Sequence, residues 1–188
     1  MKIGILGGTF NPIHIGHLIL AEEAREKLGL DKIIFVPAYL PPHKASSDIA
    51  PAATRFEMAK LATKGNRFFS VSDTEIKRDG RSYTIDTLRE FKKKYPEDEL
   101  FFIIGSDLLT YLADWKDLGE ILKMVKFIAA TRPGYALDKI PSYIHTLPIR
   151  AVDISGFAIR NCVRGKKSFR YLVPDEVYKF IISKKLYK

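Results

Sequence analysis

Paired glycines and paired histidines at the start of the chain are its clearest chemical feature. The segment GGTFNPIHIGH begins at Gly7, ends at His17 and directly follows the apolar stretch KIGIL. A glycine-rich turn after a first strand lets backbone N–H groups approach a phosphate, and Gly7, Gly8 and Thr9 are placed for that. His14 and His17 are three residues apart, so on one helix they share a face and can aim at the same anion. The segment therefore predicts phosphate binding.

Two other phosphate motifs and a metal site are disfavoured. No G-x-G-x-x-G follows the first apolar run, and RNCVRGKKS lacks the order of a P-loop, which weakens dehydrogenase and P-loop NTPase interpretations. The histidine pair has no nearby cysteine, histidine or carboxylate set to supply a third and fourth ligand, so we expect no protein-held metal.

Strands and helices alternate along the chain. Short runs rich in Ile, Val and Phe, each ended by Gly, Pro or Asp, predict six strands: KIGILGG, DKIIFVPA, RFFSVSD, DELFFIIGSD, VKFIAATRP and IHTLPI. This alternation predicts an α/β fold with a doubly wound parallel sheet, in which ligands bind beyond the carboxyl ends of the strands. The sequence PAYLPPHKASSDIAPAA predicts a long loop beside the site.

Local signals predict where the helices begin and end. Asn11 with Pro12 is an N-cap and first-turn pair for a first helix that Gly29 would close. Thr54 and Glu57 form a capping box for a second helix. Apolar spacing predicts further helices in YTIDTLREFKKKY, FAIRNCVRG and DEVYKFIISKK.

Composition indicates one soluble domain. The chain has 188 residues, 46% of them hydrophobic, and we expect a single domain over 1–188 with a small helical part over about 156–188. Its apolar runs are too short to cross a bilayer and Met1 leads into a strand pattern, so we expect a cytoplasmic protein without membrane contact. The net charge of +9 is spread over the chain, which favours solvated helix faces over nucleic-acid binding. Cys162 is the single cysteine and fits a reducing compartment.

The ordered motifs resemble a known family. GGTFNPIHIGH is similar to the T/H-x-G-H signature of the nucleotidylyltransferase superfamily. The whole set resembles the bacterial nicotinate-nucleotide adenylyltransferases, on VPAYLPPHK, RSYTIDTL, FFIIGSDLL, ADWKDL, TRPG, ISGFAIR and YLVPDEVYKFI. The resemblance implies a Rossmann-like nucleotidylyltransferase fold. It also implies transfer of AMP from ATP to nicotinate mononucleotide, giving deamido-NAD and pyrophosphate, with Mg²⁺ carried by ATP.

The resemblance also implies roles for individual residues. The catalytic residues would be His14, His17 and Arg160. The ATP-binding residues would be Gly7, Gly8, Thr9, Phe10, His17, Gly105, Asp107, Ser155 and Arg160. The residues that bind the mononucleotide would be Lys44, Tyr83, Thr84, Trp115 and Arg132. Of these, Trp115 would stack on the pyridine ring, and Arg160 would bind the β and γ phosphates.

The chain departs from the family pattern at the second phosphate motif. The family usually has Ser-Ser-Thr-x-Ile-Arg, whereas SGFAIR places Gly156 and Phe157 where a serine and a threonine are expected, which puts the details of ATP binding in question. Asn11 replaces a common aspartate. His145 is assigned to structure.

Alternatives to this function stay open. They are phosphopantetheine adenylyltransferase, a cytidylyltransferase, and a nucleotide- or nucleic-acid-binding module without catalysis. The choice between nicotinate and nicotinamide nucleotides and a homo-oligomeric state are also left open.

Overall fold

Six strands form one parallel sheet. A computed structural model of the chain describes residues 1–41, 48–131, 140–150 and 152–188. The strands are β1 Lys2–Gly8, β2 Lys32–Pro37, β3 Phe69–Val71, β4 Glu99–Gly105, β5 Lys126–Thr131 and β6 Ile144–Pro148. Every neighbouring pair is parallel and the order is β3-β2-β1-β4-β5-β6. The six predicted strands and the doubly wound parallel sheet are confirmed.

Helices connect the strands and follow the last one. The α-helices are α1 Ile15–Leu28, α2 Ala52–Thr63, α3 Thr74–Arg78, α4 Thr84–Lys94, α5 Leu118–Met124, α6 Gly156–Arg164 and α7 Asp175–Ser183. A 3₁₀ helix, Ser106–Asp114, follows β4. In the part of the chain that the structure describes, no helix combines the length and apolar character that a bilayer span requires.

The sheet separates two hydrophobic clusters. Side chains alternate across a strand, so Leu6 packs in one cluster while Ile3 and Ile5 pack in the other. The first cluster includes side chains of α1, α2, α6 and α7, and the second includes those of α4, α5 and the 3₁₀ helix. Helices therefore cover both faces, as the burial of a parallel sheet requires.

The last two helices belong to the first cluster. Ile159 of α6 and Val177 and Ile181 of α7 are fully buried there. The Ile15 N–H at the start of α1 donates to the Leu172 carbonyl at 3.0 Å. These contacts join the C-terminal segment to the beginning of α1, where the histidines lie. The division of the chain into a main part and a helical C-terminal part stays a prediction.

The chain order reverses beside β1. β1 lies between β2 and β4, and Leu6 of β1 pairs with Ile103 of β4. The connections that leave β1 and β4 therefore run to opposite faces of the sheet, which opens a crevice between the carboxyl ends of these strands. Gly7 and Gly8, which end β1, and Gly105, which ends β4, lie at this crevice.

Two predicted helix starts are wrong, and one predicted end is confirmed. α1 begins at Ile15 with His14 as its N-cap, because the Asn11 side chain bonds to residues 48–50 instead of capping the helix. α2 begins at Ala52, so Thr54 lies inside its first turn and forms no capping box. Gly29 closes α1 in the left-handed conformation, as predicted.

Candidate active site

The glycine turn, Gly7–Phe10, leaves the sheet later than predicted, because Gly7 and Gly8 still belong to β1 and pair with Val36 and Pro37 of β2. A Cβ at Gly7 would lie 3.3 Å from the Phe102 ring, and one at Gly8 would lie 2.9 Å from the Phe10 ring. Phe10 itself has φ +48°, which an L residue adopts only when its surroundings hold it there. Its ring is buried and packs edge-on against His17, with the ring centroids 5.0 Å apart. The turn and the second histidine thus form one packed unit.

The two predicted histidines are brought together. Their rings stack with centroids 3.7 Å apart and planes 30° apart. They do not share a helix face as expected, because His14 is the extended N-cap residue and only His17 is helical. The His14 N–H donates to His17 Nδ1 at 3.2 Å. This bond makes Nδ1 an acceptor, so the neutral His17 ring carries its proton on Nε2, which is a donor.

Gly16 makes the histidine stack sterically feasible. A Cβ at this position would lie 3.1 Å from His14 Nδ1 and 3.2 Å from His14 Cε1. The glycine between the two histidines therefore allows the close approach of the His14 ring, which a side chain at this position would displace. Its place inside the H-x-G-H pattern was the available signal, but the pattern alone gave it no role.

The Arg160 side chain extends from α6 to the loop between β1 and α1. Its Nη1 donates to the Asn11 carbonyl at 2.9 Å. Its Nε is buried and has no hydrogen-bond partner among the described residues. Ser155 is the N-cap of α6, and its hydroxyl accepts from the Ala158 N–H at 3.1 Å. The helix start and its arginine therefore adjoin the loop between β1 and α1.

Close packing explains why a glycine occupies position 156. A Cβ there would lie 2.8 Å from the carbonyl oxygen of Asn11, a backbone atom that cannot turn aside. Phe157 is exposed, and the Arg160 guanidinium lies 5.8 Å from its ring centroid. The departure from the family pattern thus coincides with an α6 that approaches the Asn11 carbonyl closely.

Arg55 is a site component that the sequence did not reveal. Its side chain is fully buried and donates to three backbone carbonyls: Nη1 to Thr9 at 2.7 Å, Nε to Ala50 at 2.8 Å and Nη2 to Tyr39 at 2.8 Å. Burial lowers the pKa of this guanidinium from its ordinary value, and the nearby Glu75 carboxyl acts in the opposite direction. In sequence, Arg55 resembled any cation at a helix start.

Tyr187, at the end of the chain, adjoins both arginines. Its hydroxyl is buried and has no hydrogen-bond partner among the described residues. Burial raises the pKa of this phenol, while the charges of Arg160 and Arg55 act to lower it. The end of the chain therefore lies close enough to Arg55 and Arg160 for their charges to act on the Tyr187 phenol.

The residues predicted to bind the acceptor lie beside the second hydrophobic cluster. Trp115 ends the 3₁₀ helix, is half-buried, and packs edge-on against Phe102 and Phe127, with ring centroids 5.9 and 5.8 Å away. Tyr83 is the N-cap of α4, where Thr84 is the first residue. The Lys116 ammonium, which the sequence did not single out, lies 5.0 Å from the Tyr83 ring centroid. Phe102 thus contacts both Trp115 and the Gly7 position.

A buried carboxyl supports this region. The Thr87 hydroxyl of α4 donates to Glu75 Oε1 at 2.6 Å, and Arg78 donates to that hydroxyl at 3.0 Å. Burial raises the pKa of Glu75, while hydrogen bonds from Ser82 and Thr87 and the charge of Arg78 lower it. The network ties α3 to α4 directly below Tyr83.

The structure describes some of the remaining predicted positions and not others. Gly105 ends β4 and pairs with Ala130 of β5, at the crevice as expected. Lys44, Arg132 and the side chain of Asp107 lie outside the described residues. Across 1–41, 48–131, 140–150 and 152–188, no group of three or more His, Cys, Asp or Glu side chains is arranged to hold a metal ion. His145 is exposed on β6.

Comparisons with known proteins agree with this architecture. Residues 5–162 match the family described as cytidylyltransferase-like. The chain is 42% identical to nicotinate-nucleotide adenylyltransferase of Bacillus subtilis (strain 168), with 100% of this chain and 98% of the relative covered. Its fold resembles that of Plasmodium falciparum nicotinic acid mononucleotide adenylyltransferase complexed with NaAD, with a TM-score of 0.80, 18% identity and coverage of 99% and 97%. The same enzyme complexed with APC gives a TM-score of 0.78 at 18% identity, with coverage of 99% and 96%.

Proposed function

The chain belongs to the cytidylyltransferase-like family and, within it, to the nicotinate-nucleotide adenylyltransferases, and from that premise we propose that it transfers AMP from ATP to nicotinate mononucleotide. The products are deamido-NAD and pyrophosphate, so the enzyme serves NAD biosynthesis. The observation that carries the proposal within the structure is the stacked histidine pair held against the glycine turn at the β1–β4 crevice.

The reaction calls for alignment and charge stabilisation more than for proton transfer. An oxygen of the mononucleotide phosphate attacks the α-phosphorus of ATP, and the bond from that phosphorus to the bridging oxygen breaks. Pyrophosphate leaves with the electron pair. Because the nucleophile is already an anion, no general base or covalent intermediate is required. In-line geometry and donors aimed at the phosphate oxygens therefore carry most of the rate.

His17 and His14 are the proposed donors to the reacting phosphate. The bond from the His14 N–H to His17 Nδ1 fixes the orientation of the His17 ring. In the proposed transition state, the Nε2–H of His17 donates a hydrogen bond to an oxygen of the α-phosphate. His14 is 7% exposed and stacks on His17 at 3.7 Å, so it supports that ring as well as facing the anion. The Gly7, Gly8, Thr9 and Phe10 backbone completes the phosphate-binding turn.

Arg160 and the start of α6 are proposed for the departing pyrophosphate. A guanidinium binds phosphate through a planar fork of donors, and only Nη1 is committed to the Asn11 carbonyl among the described residues. Ser155 contributes through its backbone N–H or through its hydroxyl, which accepts from the Ala158 N–H and still has its own proton to donate to a phosphate oxygen. Mg²⁺ arrives as part of the Mg·ATP substrate, consistent with its preference for phosphate oxygens and water.

The acceptor half of the site, which comprises Tyr83, Thr84, Trp115 and Lys116, is proposed to bind nicotinate mononucleotide. Trp115 stacks on the pyridine ring, and Tyr83 and Thr84 contact the nicotinate carboxylate region. Lys116, whose ammonium already lies above the Tyr83 ring, adds a cation for that carboxylate. From the sequence alone, Lys44 and Arg132 are kept as proposed phosphate contacts, and Gly105 and Asp107 as contacts for ribose and adenosine. We propose a cytoplasmic location for the enzyme.

Pyrophosphate release tests this function directly. The purified protein is incubated with Mg·ATP and, in separate reactions, with nicotinate mononucleotide, nicotinamide mononucleotide or phosphopantetheine. We expect release that depends on nicotinate mononucleotide and yields deamido-NAD. Release only with phosphopantetheine would identify that compound, and not nicotinate mononucleotide, as the acceptor. No release with any acceptor would overturn the enzyme interpretation. A nucleic-acid-binding module would instead retain DNA or RNA in a salt-sensitive manner.

A further inference from the structure

Arg55 donates to three backbone carbonyls, and one of them, that of Thr9, belongs to the loop between β1 and α1. A buried guanidinium must have its donors satisfied, and here backbone oxygens satisfy them. These oxygens belong to three segments distant in sequence: Thr9 follows β1, Tyr39 follows β2, and Ala50 precedes α2. A side chain needed only to fill space would be apolar, since burial of a guanidinium carries a desolvation cost that well-placed acceptors must offset.

A second side chain makes the same connection in the opposite direction. Asn11 Oδ1 accepts from the Ala50 N–H at 3.1 Å, and Asn11 Nδ2 donates to the Asp48 carbonyl at 2.8 Å. Arg55 reaches from α2 to the glycine turn, and Asn11 reaches from the end of that turn towards α2. The turn and residues 48–50 are thus linked twice, by two independent side chains.

The Arg55 bond also sets the direction of the Phe10 N–H. The carbonyl and the following N–H of a trans peptide lie in the peptide plane and point in opposite directions. Since the Thr9 carbonyl points to Arg55, the Phe10 N–H points away from it. α2, whose Met58 and Ala59 are fully buried in the first hydrophobic cluster, supplies a rigid base for this constraint.

We propose that Arg55 is a positioning residue for the adenylyl transfer: its guanidinium fixes the Thr9 peptide, and with it the Gly7–Phe10 turn, to the backbone after β2 and before α2. The inference rests on the proposed function, because the substrate that the turn aligns is Mg·ATP. Arg55 touches neither substrate, since its side chain has no exposed surface. It acts through the turn and through the Phe10 ring that packs on His17.

The test compares the same substitution at two arginines. Arg55→Lys keeps the charge but loses the planar fork, so it cannot hold three carbonyls in one geometry. Arg25→Lys is the matched control, because Arg25 is a largely buried arginine of α1 that pairs with Glu22, away from the turn. Both variants are assayed well below their unfolding temperatures, with circular dichroism as the folding check.

We expect kcat/KM for ATP to fall about tenfold to a hundredfold in Arg55→Lys, because small misplacements of reacting groups have effects of that order. The KM for nicotinate mononucleotide should stay within about threefold of the wild-type value, since the Arg55 donors bind the Thr9, Ala50 and Tyr39 carbonyls and not a residue proposed to contact the mononucleotide; a purely structural loss would not divide the two substrates in this way. Arg25→Lys should retain wild-type kcat/KM. An Arg55→Lys enzyme with unchanged kcat/KM for ATP overturns the proposal.

Two further measurements cover failure of the assay or of folding. If the wild type releases no pyrophosphate, the proposed function fails by itself, and Mg·ATP binding by calorimetry decides the role of Arg55. Weaker binding in Arg55→Lys, with normal binding in Arg25→Lys, then supports the positioning role, and equal binding overturns it. If Arg55→Lys does not fold, Asn11→Ala removes the second link. A selective fall in kcat/KM for ATP supports the proposal, and a wild-type value overturns it.

Discussion

The two halves of the site are held in place by different forces. In the nucleotide half, which is the part proposed to bind ATP, side-chain donors such as Arg55 and Arg160 bind backbone carbonyls of the loop that carries the histidines. In the acceptor half, Trp115 is held by edge-on ring packing on Phe102 and Phe127. Directed hydrogen bonds fix positions to a fraction of an ångström, whereas ring packing tolerates adjustment. This difference fits the proposal that the first half carries the bond-making step and the second selects the acceptor.

The largest effect is expected from the nucleotide half, with His17→Ala. Loss of a donor to the reacting phosphate should lower kcat by about 10²–10³-fold, by analogy with an oxyanion-hole donor. The fold should persist, because His17 is partly exposed. Steady-state pyrophosphate release measures the change. The matched control is His145→Ala, an exposed residue of β6. Full turnover in His17→Ala would remove the assigned role.

The sequence predicted the sheet and the end of α1 well because both signals are local. Six apolar runs bounded by Gly, Pro or Asp became the six strands, and Gly29 ended α1. The start of α1 was wrong because Asn11 is engaged by residues 48–50, a contact between distant segments. Arg55 was missed for the same reason, since its carbonyl partners follow no pattern in the sequence around it. Local patterns thus locate strands and helix ends but not the long-range bonds that hold the proposed reacting groups.

Trp115→Ala tests the acceptor half. Loss of a stacking platform worth about 0.5–1.5 kcal/mol should raise the KM for nicotinate mononucleotide by up to roughly tenfold. The KM for ATP should change less, because Trp115 packs on the face of the sheet opposite to α1 and α6. Initial rates at varied concentrations of each substrate measure the two constants. Trp115→Phe is the control and should keep most of the affinity; equal changes in both constants would refute the ring-stacking assignment.

Gly156→Ala tests how closely α6 must approach the loop. The added Cβ would lie 2.8 Å from the Asn11 carbonyl oxygen. Such overpacking costs about 1–3 kcal/mol and should lower the unfolding temperature by roughly 2–4 °C per kcal/mol. The KM for ATP should rise with it, since α6 carries Arg160. Gly119→Ala in α5 is the control, because a Cβ there meets nothing within 4 Å. An unaltered melting temperature in Gly156→Ala would show that α6 has room to move.

The smallest effect concerns pH and the support of the acceptor half. Burial raises the pKa of Glu75 above its ordinary value of 4.5 in the folded protein, although bonds from Ser82 and Thr87 and the charge of Arg78 oppose this. The folded state therefore holds the Glu75 proton longer than the unfolded state, and the resulting stability is complete below pH 4.5 and lost as pH rises through the raised pKa. The nearby Glu90 carboxylate adds to the raising.

Glu75→Gln should remove this pH dependence. The amide oxygen still accepts from Thr87 but does not ionise, so the variant should gain stability relative to wild type as pH increases from about 4 to 7. Urea unfolding at several pH values measures the difference in the free energy of unfolding. Thr63→Val in α2, which removes another buried hydroxyl bond, is the control and should show no such trend. A difference between Glu75→Gln and wild type that stays constant with pH would contradict the assignment.

The central claim is that the stacked imidazoles beside the glycine turn bind the reacting phosphate. A crystal structure of the protein with deamido-NAD bound tests it most directly. We expect His17 Nε2 within about 2.7–3.2 Å of an oxygen of the phosphate derived from ATP, with the phosphate against the Gly7–Phe10 backbone. A dinucleotide whose phosphates lie away from both histidine rings would contradict the account.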